Sequence, residues 1–275
     1  AQGVVVLGSS TTRDWMGMNW LANLYQVPLS QVVDGHINGC HQGCTWAEVR
    51  RLIGEGRHFG SAIYGLNHFQ MCEHRHSKRV LQHRLVLPRG QTFDLWSMYT
   101  HAKQPHWYLA RSLVAASSDA LADTAALQAR LREQTIGKPL RGRSHRWVSP
   151  RRPARPRVRY CTYNEDDVAY KLTLTAALLD DLQQLADVSQ VLLLPDQSLS
   201  QKDPAIAQAW EKHRAAITEL ADTRPWIELV DLTGRGPWTA DRFTDGVHLG
   251  RREYTRQRQE FGRQFYQLWR KRNSR

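Results

Sequence analysis

Val4-Val5-Val6-Leu7-Gly8-Ser9-Ser10 is the stretch that decides the fold. Val4 to Leu7 is an unbroken apolar run of strand length, and Gly8 with the two serines ends it. A helix is expected next, from about Thr12 to Tyr25, with Trp20, Leu21 and Leu24 at helical spacing. A strand feeding a turn and then a helix is the first unit of a layered α/β structure.

The same alternation continues outward from this unit. Val32-Val33 reads as a second strand, Asn38 to Thr45 as a glycine-bearing loop, Trp46 to Ile53 as a short helix, and Ala62-Ile63-Tyr64 as a third strand ending at Gly65. Asp166 to Ala186 predicts an amphipathic helix, with Val168, Leu172, Leu178, Leu179, Leu182 and Leu185 on one broad stripe that Thr175 interrupts. It leads into another strand-sized run, Val191 to Leu194. Asp203-Pro204 then supplies an N-cap followed by proline at the first helical position, and Ile206, Trp210, Ile217 and Leu220 extend the helical pattern to the strand Ile227 to Leu232. Arg251 to Arg270 carries Tyr254, Phe261, Phe265, Leu268 and Trp269 along one helical face, which predicts docking on the core. Short strands alternating with helices require crossover connections, so the expected fold is α/β: a three-layer sandwich whose mainly parallel central sheet is flanked by helices.

The chain has 275 residues, 41% of them hydrophobic, with ten tryptophans, enough for a large buried core. No run approaches the roughly 20 apolar residues of a spanning helix. The chain starts Ala1-Gln2-Gly3 with no charged head before an apolar run, so any targeting or anchor segment is expected to lie outside these residues. Lys and Arg number 38 against 26 acids, a formal charge of +12. Lys138 to Arg159 alone holds nine basic residues, four prolines and no acid, and reads as an extended anion-binding strip. Charge alone does not choose between an anionic glycan, a membrane surface and nucleic acid. No zinc finger, RNA-recognition signature or basic zipper accompanies it, so nucleic acid is the least favoured of the three. Together with the His-rich stretch after Asn67 and the aromatic stretch Phe93 to Tyr108, this strip makes about 69–165 look like an insertion.

Cys40, Cys44, Cys72 and Cys161 are too few for a disulfide framework. Cys40, His41, Cys44, Cys72, Glu73, His74 and His76 offer zinc-ligand chemistry, but the Cys40 to Cys44 spacing is one residue wider than the usual C-x-x-C and the histidines lie in a basic, solvated stretch. No metal site is therefore expected. Gly8-x-Ser10-x-Thr12 lacks the last glycine of a nucleophile elbow, no phosphate-binding loop of the Gly-x-x-x-x-Gly-Lys kind occurs, and Gly54-x-Gly56 opens no dinucleotide-binding unit.

In an open α/β sheet, reactive groups gather beyond the carboxyl ends of the strands. Four points qualify: Ser10 after the first strand; Asn38 to Thr45 with Gly43; Gly65-Leu66-Asn67-His68 after the third strand; and Thr244-Asp245-Gly246-Val247-His248 near the end of the chain. Taken singly, each has an ordinary alternative as a helix cap, loop or turn. In this order they resemble the four blocks of the SGNH (GDSL-like) hydrolase superfamily. Gly8-Ser9-Ser10 stands where that family has Gly-Asp-Ser, Cys40 where it commonly has glycine, and His68 where an acid follows the asparagine.

The resemblance implies a single domain over 1–275 with flavodoxin-like topology, interrupted by the insertion. It also implies a serine esterase or acyltransferase in which Ser10 is the nucleophile, His248 the base and Asp245 the group that orients the imidazole. The Ser10 and Gly43 amides and the Asn67 side chain would form the oxyanion hole, and no cofactor is needed. The Gly-Ser-Ser opening is similar to bacterial proteins that acylate envelope polymers, which implies O-acyl, in particular O-acetyl, transfer or hydrolysis on a polysaccharide. The partners would be an acyl-donor protein or ester and a polysaccharide acceptor, on the periplasmic or extracellular side of a bacterial envelope. An oxidising compartment of that kind would permit a pair of Cys40 or Cys44 with Cys72. The alternative is a non-catalytic basic module that grips an anionic polymer.

Overall fold

A computed structural model of the chain describes residues 3–36, 42–72, 165–200, 204–234, 238–243 and 247–250. Five strands form one sheet: β1 (Val4–Gly8), β2 (Val32–His36), β3 (Phe59–Asn67), β4 (Ala186–Leu194) and β5 (Ile227–Asp231). Their order is β2-β1-β3-β4-β5, and every pairing is parallel. Val5 lies opposite Val33 on one side and Ala62 on the other, so β1 has hydrogen-bonded neighbours along both edges. This is the expected α/β sandwich with flavodoxin-like strand order.

The helices are α1 (Ser10–Trp15), α2 (Met18–Tyr25), α3 (Gln42–Gly54), α4 (His68–Cys72), α5 (Glu165–Leu185) and α6 (Pro204–Asp222). Side chains alternate across the sheet, and each face has its own core. Val5, Leu7, Ala62, Tyr64, Val191 and Leu193 pack with Val49 and Leu52 of α3, Leu178, Leu179, Leu182 and Leu185 of α5, and Ile217 of α6. Val4, Val6, Ile63, Leu192 and Leu194 pack on the other face with Trp15, Leu21 and Tyr25 of α1 and α2 and with Trp238, Phe243 and Leu249. Covered on both faces, the strands read as continuous apolar runs rather than as alternation.

The structure moves several boundaries. The helix expected over Thr12–Tyr25 is two helices, broken at Met16 and Gly17. Glycine is a weak helix former, and the break lets the adjacent Trp15 and Met16 both be buried. β4 begins at Ala186 rather than Val191, and the polar Gln190 within it is paired inside. Gln190 accepts the Tyr25 hydroxyl at 3.1 Å and donates to Glu228 at 3.2 Å. Thr175 does not interrupt the α5 stripe. It is fully buried within it, with its hydroxyl donating to the Lys171 carbonyl at 2.8 Å. Apart from its two ends, the expected insertion at about 69–165 lies outside the described residues, as do the basic run Lys138 to Arg159 and the helix expected over Arg251 to Arg270. Among the described residues no helix is long and apolar enough to cross a membrane.

Candidate active site

The chain leaves β1 towards β2 on one side and returns as β3 on the other, so a crevice opens beyond the carboxyl ends of β1 and β3. Two glycines clear it. Gly8 has φ +124°, and a Cβ there would lie 2.4 Å from Thr12 Oγ1 and 2.7 Å from the Gly65 carbonyl. A Cβ on Gly65 would meet the same Thr12 oxygen at 2.4 Å. Thr12 is therefore seated between the two strand ends and donates to the Gly65 carbonyl at 3.1 Å. That contact draws the start of α1 into the crevice, with Ser10, half-buried, as its first residue.

Aromatic packing brings the far end of the chain to the same place. Trp15 of α1 meets Trp238 edge-on at 5.9 Å, Trp238 lies 6.4 Å from Phe243, and the Trp238 indole donates to the Thr233 carbonyl at 2.8 Å. Phe243 bridges Leu249 in antiparallel fashion, and the Gly250 amide closes the turn on the Arg242 carbonyl at 2.7 Å. Phe243 and Leu249 are both buried, so the residue between Val247 and Leu249 is held at the rim of the core. That residue is His248, whose Nε2 lies 2.8 Å from Ser10 Oγ. A neutral imidazole at this distance can accept the hydroxyl proton.

Asn67 ends β3 and caps α4. Its Oδ1 accepts the Gln70 amide at 2.9 Å while Gln70 Oε1 accepts the Asn67 amide at 3.0 Å, a reciprocal capping box. The cap turns the Asn67 amide group towards α1, where it donates to Thr11 Oγ1 at 3.1 Å; Thr11 also shares a 2.8 Å hydrogen bond with Ser9. The Asn67 amide thus lies against the residue next to Ser10.

Gly43 is not in a loop. α3 starts at Gln42, which places Gly43 in the first turn of the helix. The helix begins this early because Val49 and Leu52 anchor it in the core, while the Trp46 indole and Arg50 bind the Asp181 carboxylate of α5 at 2.8 and 3.2 Å. The Gln42 amide adds a 2.8 Å contact to Met71 Sδ of α4.

The structure brings Ser10 and His248 together and sets Asn67 beside them, with Gly43 at a helix start. Asp245 lies outside the described residues, as do Cys40, His41, Glu73, His74 and His76. Among the described residues, no group of three or more His, Cys, Asp or Glu side chains is arranged to hold a metal ion. No protein-family model matches the chain, and no curated protein matches it.

Sequence reading missed Thr11, Thr12 and Gln70. The Asn67-x-x-Gln70 spacing was a visible capping signal, whereas the threonine contacts span strands and left no local trace. It also missed His68 and His213, which are buried with Nδ1 atoms 2.8 Å apart. Desolvation, and then the neighbouring imidazole, hold His68 down at about 3. Desolvation, and then the Lys171 charge, hold His213 at about 4. At the end of β2, His36 is pushed down to about 4 by burial first and by Arg13 second, a direction its contact with the Asp34 carboxylate opposes.

Proposed function

We propose that this chain is an SGNH-type serine esterase or acyltransferase that acts on the O-acyl groups, chiefly O-acetyl, of an envelope or extracellular polysaccharide. The observation that carries this reading is the 2.8 Å contact between Ser10 Oγ and His248 Nε2 at the strand switch point. Ser10 Oγ attacks the acyl carbonyl carbon as its proton passes to His248 Nε2. The tetrahedral oxyanion forms against the Ser10 and Gly43 amides and the Asn67 side chain. It collapses to acyl-Ser10 as the leaving alkoxide takes the proton from His248. Water or a sugar hydroxyl then gives its proton to His248, attacks the acyl-enzyme and frees Ser10. Asp245, three residues before His248, is assigned to orient the imidazole and to stabilise its charged form.

Hydrolysis and transfer share all these steps and differ only in which hydroxyl attacks. The net charge of +12 favours an anionic or anion-rich polymer surface as the setting. The resemblance behind the polysaccharide assignment belongs to proteins working outside the cytoplasm, and that is the compartment proposed.

The test is turnover of an activated acetyl ester, with and without oligosaccharide acceptors, by wild type and Ser10→Ala. The expected result is a loss of about 10⁴-fold or more in Ser10→Ala. Turnover that survives in Ser10→Ala rules the mechanism out. Salt-sensitive binding of an anionic polymer with no ester turnover in wild type would leave the chain as a non-catalytic basic module.

A further inference from the structure

His68 follows Asn67 directly and opens α4, a helix of only five residues. So short a helix does not hold its own position, since helices of this length are marginal without tertiary contacts. Its first side chain supplies such contacts. The His68 ring stacks on Trp210 of α6, centroids 4.9 Å apart and planes 22° from parallel, and its Nδ1 lies 2.8 Å from Nδ1 of His213, one turn further along α6. Lys171 of α5 is buried near the same pair, and all three polar groups are at least nine-tenths covered. Two Nδ1 atoms at this distance form a hydrogen bond only when one ring carries its proton there and the other presents a lone pair. The pair is therefore a directional link, with one ring donating through Nδ1 and the other accepting there.

Burying two imidazoles and an ammonium is costly compared with apolar packing, so the cluster is a poor device for stability alone. What it does is tie the first residue of α4 to the middle of α6. The residue immediately before that tie is Asn67, whose side chain is oriented by the α4 cap and points its amide at Thr11. We propose that His68 and His213 are positioning residues for the Asn67 amide: their hydrogen bond sets where α4 begins, and so where the oxyanion donor sits. The positional link stands on the contacts just described, whereas its catalytic consequence rests on the proposed serine chemistry.

Two substitutions separate position from bulk. His213→Leu keeps volume and removes the nitrogen, while His213→Asn keeps a polar group close to the place of Nδ1. The Asn67 side-chain amide, assigned in ¹H–¹⁵N spectra by its absence in Asn67→Ala, is expected to shift and exchange faster in His213→Leu and to return towards wild type in His213→Asn. In ester turnover, His213→Leu is expected to lower kcat by about 10- to 10²-fold with KM little changed, because a donor about 1 Å out of place loses transition-state contact first. The same change made in Asn67→Ala should cost almost nothing more. An unmoved Asn67 amide in a folded His213→Leu protein overturns the proposal, and so does a loss that adds in full to that of Asn67→Ala. If wild type shows no Ser10-dependent turnover, the serine chemistry fails, and the Asn67 resonance still decides the positional link.

Discussion

His58 and His68 flank the same strand, one just before β3 and the other just after it, and the two ends of the sheet treat them in opposite ways. At the amino end His58 is exposed, 2.9 Å from both the Asp187 carboxylate and the Gln184 carbonyl, and the Asp187 hydrogen bond raises its proton affinity above the usual histidine range. At the carboxyl end His68 and its partner His213 are buried, and desolvation drives both well below that range. Burial and the available partner set the charge state, not residue type or position along the strand. The carboxyl end gathers buried polar groups, including Ser9, Thr11, Asn67 and Gln70, whereas the amino end is solvated and carries an exposed ion pair.

This contrast is broken most directly by acid. The folded pKa values of His68 and His213 lie below the unfolded value near 6.5, so the unfolded chain binds more protons between pH 6.5 and about 3 to 4. The stability they allow is fully present above pH 6.5 and is lost as pH falls through that window, by up to about 1.4 kcal/mol per pH unit for each histidine. Denaturant melts at pH 7.5, 6 and 5 should show the loss, with a shallower slope in His213→Leu. An equal slope in both proteins would place the acid sensitivity elsewhere.

A smaller effect is expected from Gly8→Ala, which forces a side chain into φ +124° and into contact with Thr12 and the Gly65 carbonyl. About 3 kcal/mol of stability should be lost. The start of α1 should also move off the crevice, so ester turnover should fall more than stability does. A melt within 0.5 kcal/mol of wild type would show that the crevice tolerates a methyl group.

The smallest effect belongs to the amino end. His58→Ala removes a pair whose side chains are 44% and 49% exposed, so the loss should not exceed about 0.5 kcal/mol. Because the folded pKa is raised, that contribution is present below pH 6.5 and fades as pH climbs through the folded value. Melts at pH 6 and pH 9 check this sign, which is opposite to that of the buried pair.

The layered fold behind this contrast was legible in the sequence, although the contrast itself was not. Unbroken runs such as Val4 to Leu7 and Val191 to Leu194 announced strands covered on both faces, and the helices between them dictated parallel pairing. The residues to inspect followed from position alone: Ser10, Asn67 and His248 each come just beyond an apolar run or in a terminal block. The polar portions of strands were not legible, because Gln190 looks exposed until Tyr25 and Glu228 are brought against it. Nor was the early start of α3 at Gln42, which depends on anchors in α5.

Local patterning therefore determined the elements, their layering and the candidate reactive side chains, since periodicity and turn chemistry act over a few neighbouring residues. Only the tertiary structure decided that His248 reaches Ser10, that Thr12 seats between Gly8 and Gly65, and that His68 meets His213 in the buried interior. Those contacts join residues up to 238 positions apart. They arise from packing between layers, and no short-range signal in the chain encodes a distance across the core.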